Sequence, residues 1–246
     1  LSDIEKELEP ALLRMQVFMP QIAIPRFYTH ISFFNQNIIV GDGFISLSLD
    51  NYMGIDYCFY DSVAIHQYLR SNMRREKIAS DYLSALLASE LPLDPSSNLL
   101  TDMIFHGKIL YTVSCLLPET PENVILGYSE EQLAWAEQYE KEMWKQIVGD
   151  HTIYTTNVID KAKFTRDAPF TAIRARFPKQ TGSLLRLQDY MFIHATQSKS
   201  FNRTIAPKSR CTGHTKPFEL LIILLPYDKQ RKAKRPYRKK WPPTHF

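Results

Sequence analysis

The amino-acid sequence predicts an α+β fold: a mainly helical domain with a small β-hairpin or sheet, followed by a basic tail. Three observations carry this. Two runs of strand-forming residues flank a turn signal at Asp42-Gly43. Five segments of helical spacing then follow one another instead of alternating with strands, which is the α+β pattern and not the α/β one. Charge divides the chain: residues 1–172 hold 13 Lys+Arg and 23 Asp+Glu, a balance of −10, whereas residues 173–246 hold 17 and 3, a balance of +14. A break that abrupt marks a different kind of sequence. The expected organisation is therefore a domain over 1–172 and a basic, poorly ordered tail over 173–246.

Residues 1–16 read as an amphipathic helix, with Ile4, Leu8, Ala11, Leu12 and Met15 at helical spacing and acids on the other side. Pro20 and Pro25 break the chain after it. A hairpin is expected over 26–50. Tyr28, Ile31, Phe33 and Phe34 are the strand formers of its first arm. In the second arm Ile45, Leu47 and Leu49 alternate with Ser46, Ser48 and Asp50, the pattern of a half-buried strand. Asp61 is placed to cap a helix over Ser62–Asn72, with Ile65, Tyr68 and Leu69 on one face. Helices over 76–90 and 98–116 end at Pro92 and Pro118. Ser129-Glu130-Glu131-Gln132 forms a capping box opening a fourth helix, whose core stripe is Leu133, Ala136, Met143, Trp144 and Ile147. A short helix spans Val158–Phe164. From about Ile173 the periodicity fades, and only Leu220–Leu225 is apolar enough for a strand.

The length of 246 residues suits one sizeable domain or two small ones. No stretch approaches the roughly 18 consecutive apolar residues that a membrane helix needs. The opening Leu1-Ser2-Asp3-Ile4-Glu5 has neither the basic start nor the apolar core of a signal peptide and lacks an initiator Met, so an N-terminally truncated chain is expected, with any targeting segment upstream. Cys58, Cys115 and Cys211 match no zinc or redox spacing and are expected as unpaired packing residues.

The chemistry-bearing motifs are sparse. There is no G-x-S-x-G elbow, no Gly-rich phosphate loop and no H-E-x-x-H. None of the seven histidines lies three or four residues from another, so no helical two-histidine metal motif exists. Two clusters stand out. On a helix, Asp102 and His106 are one turn apart, within a segment that also carries Lys108 and Tyr111. A carboxylate and an imidazole so placed suit metal binding or proton relay, with His106 the one weak candidate ligand. The plainer reading is an i,i+4 pair on a helix surface. The second cluster gathers Asp50, Tyr52 and Asp56 where a strand ends, as a ligand-binding edge or as a turn in which Gly54 supplies an unusual backbone angle and Asp50 a cap. In the tail, Tyr227, Tyr237 and Trp241 among lysines would suit base stacking.

Three ordered stretches resemble the gliding-motility-associated lipoprotein B (GldB) family of Bacteroidota. They are Ser48 to Asp56; Asp102 to Tyr111; and Leu117-Pro118 through Gly127-Tyr128, Glu131-Gln132-Leu133 and Trp144 to Ala168-Pro169-Phe170-Thr171. Together they cover about residues 1–172. The resemblance implies a lipid-anchored, periplasm-facing envelope protein supporting gliding and type IX secretion, with envelope proteins of that machinery as partners, a membrane reached through a lipid anchor absent from this chain, and no role for nucleic acid. It also implies a fold related to a degenerate zincin-type (peptidase MA-like) scaffold. The helix in the position of H-E-x-x-H, Ile78–Glu90, has no histidine, so metal hydrolysis lacks its ligands and general base. The expectation is a binding or scaffolding protein with no cofactor and no catalysis; the alternative is a metal-dependent hydrolase using His106. After Thr171 the chain departs from the family's pattern. Codons exist for Phe177–Met191, Ala195–Ser209 and Ser209–Thr215 whose +1 frame reads, in order, like the family's tail, so a frameshifted tail is a further expectation.

Overall fold

The computed structural model describes residues 2–91 and 96–165. These all belong to one compact unit, Leu1–Ile205. The expectations for Leu220–Leu225, for Cys211, for the basic tail and for the boundary at residue 172 lie outside the described residues.

Helix α1 (Ser2–Phe18) buries the expected stripe, with Ile4, Leu8, Ala11 and Met15 in the core and Leu12 half-buried. It accommodates Pro10 in its interior, where one intrahelical N–H is lost. Asp3 in its first turn is bound by the guanidinium of Arg75, which fixes the start of the helix to a 3-10 turn at Arg75–Lys77.

Strands β1 (Arg26–His30), β2 (Ile38–Gly41) and β3 (Phe44–Ser48) form a three-stranded sheet in the order β1-β3-β2. The expected hairpin exists, but as β2 and β3, antiparallel across Asp42-Gly43, with Gly43 in the left-handed region at φ 74°. The first arm is corrected: β1 stops at His30 and pairs with β3 in parallel, Thr29 opposite Leu47. Ile31, Phe33 and Phe34 lie beyond its end. The expected alternation on the second arm is also corrected. Ser46 and Ser48 are buried along with Ile45 and Leu47, because β3 is the central strand and is covered on both faces. Leu49 and Asp50 are in a 3-10 turn, Leu49–Tyr52, and not in the strand.

The helix expected over Ser62–Asn72 is broken into α2 (Phe59–Ser62) and α3 (Gln67–Arg70). Ala64 between them takes a left-handed backbone at φ 55°. Asp61 does not cap; it sits inside α2, and its carboxylate pairs with Arg70 Nη2 at 2.6 Å. Helix α4 (Ile78–Glu90) buries Ile78, Ala79, Ser80, Tyr82, Leu83, Leu86 and Leu87. A helix so buried around its circumference belongs at the centre, and α4 packs against β2, β3, α1 and α5.

Helix α5 (Leu99–Leu116) opens at Asn98, whose side-chain oxygen accepts from Thr101 N at 3.0 Å. A short α6 (Glu122–Leu126), absent from the sequence expectations, leads to α7 (Glu130–Gly149). The expected capping box is formed: Gln132 N donates to Ser129 Oγ at 3.2 Å and Ser129 N to Gln132 Oε1 at 2.8 Å. Ala136, Met143 and Ile147 join Leu99, Met103, Leu126, Tyr128 and Ile153 in one core cluster, with Leu133 and Trp144 packed against it. The last helix, α8 (Val158–Thr165), starts where Asn157 Oδ1 accepts from Ile159 N at 2.9 Å.

Candidate functional site

The first candidate cluster is built by the turn that follows β3. Asp50 points back under the loop after β1. Its carboxylate accepts from Phe34 N at 2.9 Å, from Ser32 N at 3.4 Å and from the Ser48 hydroxyl. Burial pushes its pKa up, but these donors outweigh burial and hold the carboxyl below the usual aspartate range. The loop it organises places two consecutive non-glycine residues, Phe33 and Phe34, in the left-handed region at φ 56° and 64°. Such residues cost on the order of 1–3 kcal/mol each and persist only where the surroundings fix them. Here the carboxylate, Ser48 Oγ (accepting from Ser32 N at 3.0 Å) and Asn51 Nδ2 fix them. Tyr60 ties the turn from below, its hydroxyl donating to Asp50 O at 2.8 Å and accepting from Met53 N at 3.1 Å.

Tyr52 leaves this cluster and points inward. Its hydroxyl donates to Asp81 Oδ2 at 3.0 Å, Asp81 Oδ1 lies 3.1 Å from Lys77 Nζ, and that ammonium donates to Ile125 O at 3.1 Å. Burial, with the charge of Asp81 beside it, pushes the Tyr52 phenol far above its ordinary value. The chain of groups joins the 3-10 turn, α4 and α6, and it went unnoticed in the sequence although Lys77 and Asp81 stand at i,i+4 spacing. Asp56 is exposed in the next turn. Gly54 before it has φ 97°, the unusual angle expected of it, and its N–H donates to Met73 O at 2.8 Å.

The second cluster is not the pair that helical spacing suggests. Asp102 is buried, and its carboxylate is taken up by Lys161 Nζ at 2.9 Å and by the Ser97 hydroxyl. Lys161 Nζ also donates to Ser97 O at 2.9 Å. Among the described residues no hydrogen bond joins Asp102 to His106, whose ring instead meets Phe105 edge-on with centroids 5.3 Å apart. Asp102 faces α8, where Lys161, 59 residues later (161 − 102), supplies its cation. Lys108 and Tyr111 lie round the helix from Asp102. Burial lowers the Lys108 ammonium below the usual lysine value and, with Cys115 one turn on, raises the Tyr111 phenol. Cys115 is half-buried, in keeping with packing, but Cys58 is exposed, which corrects that expectation for it.

Asp50 and Tyr52 thus sit beside the sheet, and Asp102, His106, Lys108 and Tyr111 on α5, with α4 packed against both elements. They do not make one constellation. Among the described residues no group of three or more His, Cys, Asp or Glu is arranged to hold a metal ion, and no helix is long and apolar enough to cross a membrane.

Within the described residues, the three stretches that carry the family resemblance include the Asp50 turn, the core of α5 and the capped start of α7. The model of the family described as gliding motility protein GldB matches residues 1–188. The chain belongs to the GldB family. The match runs past residue 172, the end of the resembling stretches. No curated protein and no solved structure matches the chain. The family's link to gliding motility therefore comes to this GldB-family chain without a structural neighbour, and nothing supports the expected zincin-type likeness.

Proposed function

We propose that this GldB-family domain is a non-enzymatic binding or scaffolding component of the gliding apparatus, held at the cell envelope by a lipid anchor and acting with envelope proteins of the associated type IX secretion machinery. The observation that carries the gliding assignment is the family match over residues 1–188. The family's designation as a lipoprotein supports the envelope location. Asp50, Asp81 and Asp102 each hold a loop or helix in place through partners within the domain.

The test is genetic and chemical together. In the organism that carries the gene, deletion should abolish colony spreading, and both the wild-type gene and a His106→Ala version should restore it. The intact protein should fractionate with the envelope. Stoichiometric zinc with proteolytic activity, both lost in His106→Ala, would overturn the non-enzymatic reading. Spreading unaffected by deletion would overturn the gliding role.

A further inference from the structure

The loop that Asp50 holds ends in an aromatic side chain with no place in the core. Phe33 is 82% exposed, although the backbone N–H groups of Ser32 and Phe34 on either side of it are held by hydrogen bonds. Phe34 itself turns in, 5.5 Å from the Tyr60 ring and 6.1 Å from Phe59. Tyr57 continues the aromatic group, 5.1 Å from Tyr60 and 6.4 Å from Phe59. Close by in the sequence Ile31 is 67% exposed, Met53 51% and Ile55 44%, and Phe59 itself is 47% exposed. A rigid, exposed aromatic on a supported apolar face is what the anchor of an interface looks like, and a face of this kind is usually an interaction site.

Charge narrows the occupant. From residue 27 to residue 69 the sequence has no Lys or Arg but four aspartates: Asp42, Asp50, Asp56 and Asp61. Asp42 is in the hairpin turn, and Asp50 is engaged inside the loop. Asp56 and Asp61 are exposed and stand next to Tyr57 and Tyr60 in the sequence, Asp61 paired with Arg70. Arg70, the cation nearest in sequence beyond them, is turned inward: it donates to Ile65 O at 2.7 and 2.9 Å, pairs with Asp61 and lies over the Tyr60 ring at 5.9 Å. Residues 27–69 offer an anionic bilayer no Lys or Arg to attract it. A second copy docked by a two-fold axis would bring like carboxylates together. We propose that this face docks a segment of another protein that presents apolar side chains with lysine or arginine beside them. Phe33 fills the partner's apolar pocket, and Asp56 on the rim meets its cation. This rests on the binding role proposed above and gives that role a surface and a partner chemistry.

The full chain is titrated, by fluorescence anisotropy, into a labelled amphipathic helical peptide of leucine and lysine and into its leucine and glutamate counterpart. The lysine peptide should bind, and the glutamate peptide about tenfold more weakly or worse. Phe33→Ser should loosen the lysine peptide about tenfold, and Asp56→Lys should reverse the preference. Val158→Ser with Ile159→Ser, which alters a different exposed apolar pair (72% and 73% exposed), should leave binding unchanged. Equal binding of both peptides, or binding that ignores Phe33, overturns the proposal. So does Phe33-dependent dimerisation in sedimentation, or Phe33-dependent adsorption to phosphatidylcholine vesicles. Should the peptides fail while Phe33→Ser still abolishes colony spreading, this partner chemistry is wrong and the binding role stands.

Discussion

Asp50 shows how a single carboxylate shapes a surface without being part of it. Its ionised form is the one the fold prefers, since its donors hold the pKa below the usual range. Its contribution to stability is therefore complete above about pH 4, the ordinary aspartate value, and is lost as pH falls through the lowered value in the folded protein. Asp50→Asn should flatten the acid limb of a urea-midpoint-against-pH curve; an unchanged acid limb would show that the loop is held otherwise. Tyr52 works on the alkaline side. Its folded pKa is raised, so the stability it brings is complete below about pH 10 and is lost as pH rises beyond. Tyr52→Phe removes that dependence and, at neutral pH, costs about 1–3 kcal/mol by taking a donor from Asp81; equilibrium unfolding in urea at neutral and alkaline pH checks both. The residue types at these positions were legible as chemistry in the sequence, but their partners were not. Nothing local tells that Asp50 reaches Ser32 and Phe34, or that Ser48 is wholly buried, until the middle place of β3 in the sheet is known.

At the scale of elements, what is settled within a few residues was readable. The apolar stripe of α1 and the Ser129/Gln132 box of α7 both follow from spacing along one helix. Ser129→Ala should cost about 1 kcal/mol, seen as a lowered urea midpoint with unchanged slope; a silent substitution would mean that the first turn of α7 is held by packing alone. What depends on a distant partner was not readable. Asp61 pairs with Arg70 across the break between α2 and α3 instead of capping a helix. Asp102 turns to Lys161 instead of His106. The Asp102–Lys161 pair is mostly buried, its side chains 11% and 12% exposed. Lys161→Ala should therefore cost about 3–5 kcal/mol by stranding the carboxylate, and Asp102→Leu with Lys161→Met should recover most of it. A double variant as unstable as the single one would contradict the assignment of the loss to an unpaired charge.

Across the whole molecule, α4 is the common support, packed against the sheet, α1 and α5. Leu83→Ala, at a fully buried position, should cost about 2–5 kcal/mol, while Leu13→Ala at 57% exposure on α1 should stay within about 0.5 kcal/mol of zero; denaturant unfolding of both separates a core helix from a peripheral position. The class of the fold was legible because helices after strands leave one broad solution, whereas the parallel pairing of β1 joins residues far apart and leaves no local mark. That pairing sets an order of events. β3 is the last strand made and the middle one in space. β1 and β2 have no bonds to each other, so no sheet exists until β3 arrives. The hairpin across Asp42-Gly43 closes over a short loop and forms first; β1 must then find its edge over a longer one. The same asymmetry persists in the finished protein: β1 can detach while the hairpin stays intact, and its amides should exchange with solvent hydrogen sooner than those shared by β2 and β3.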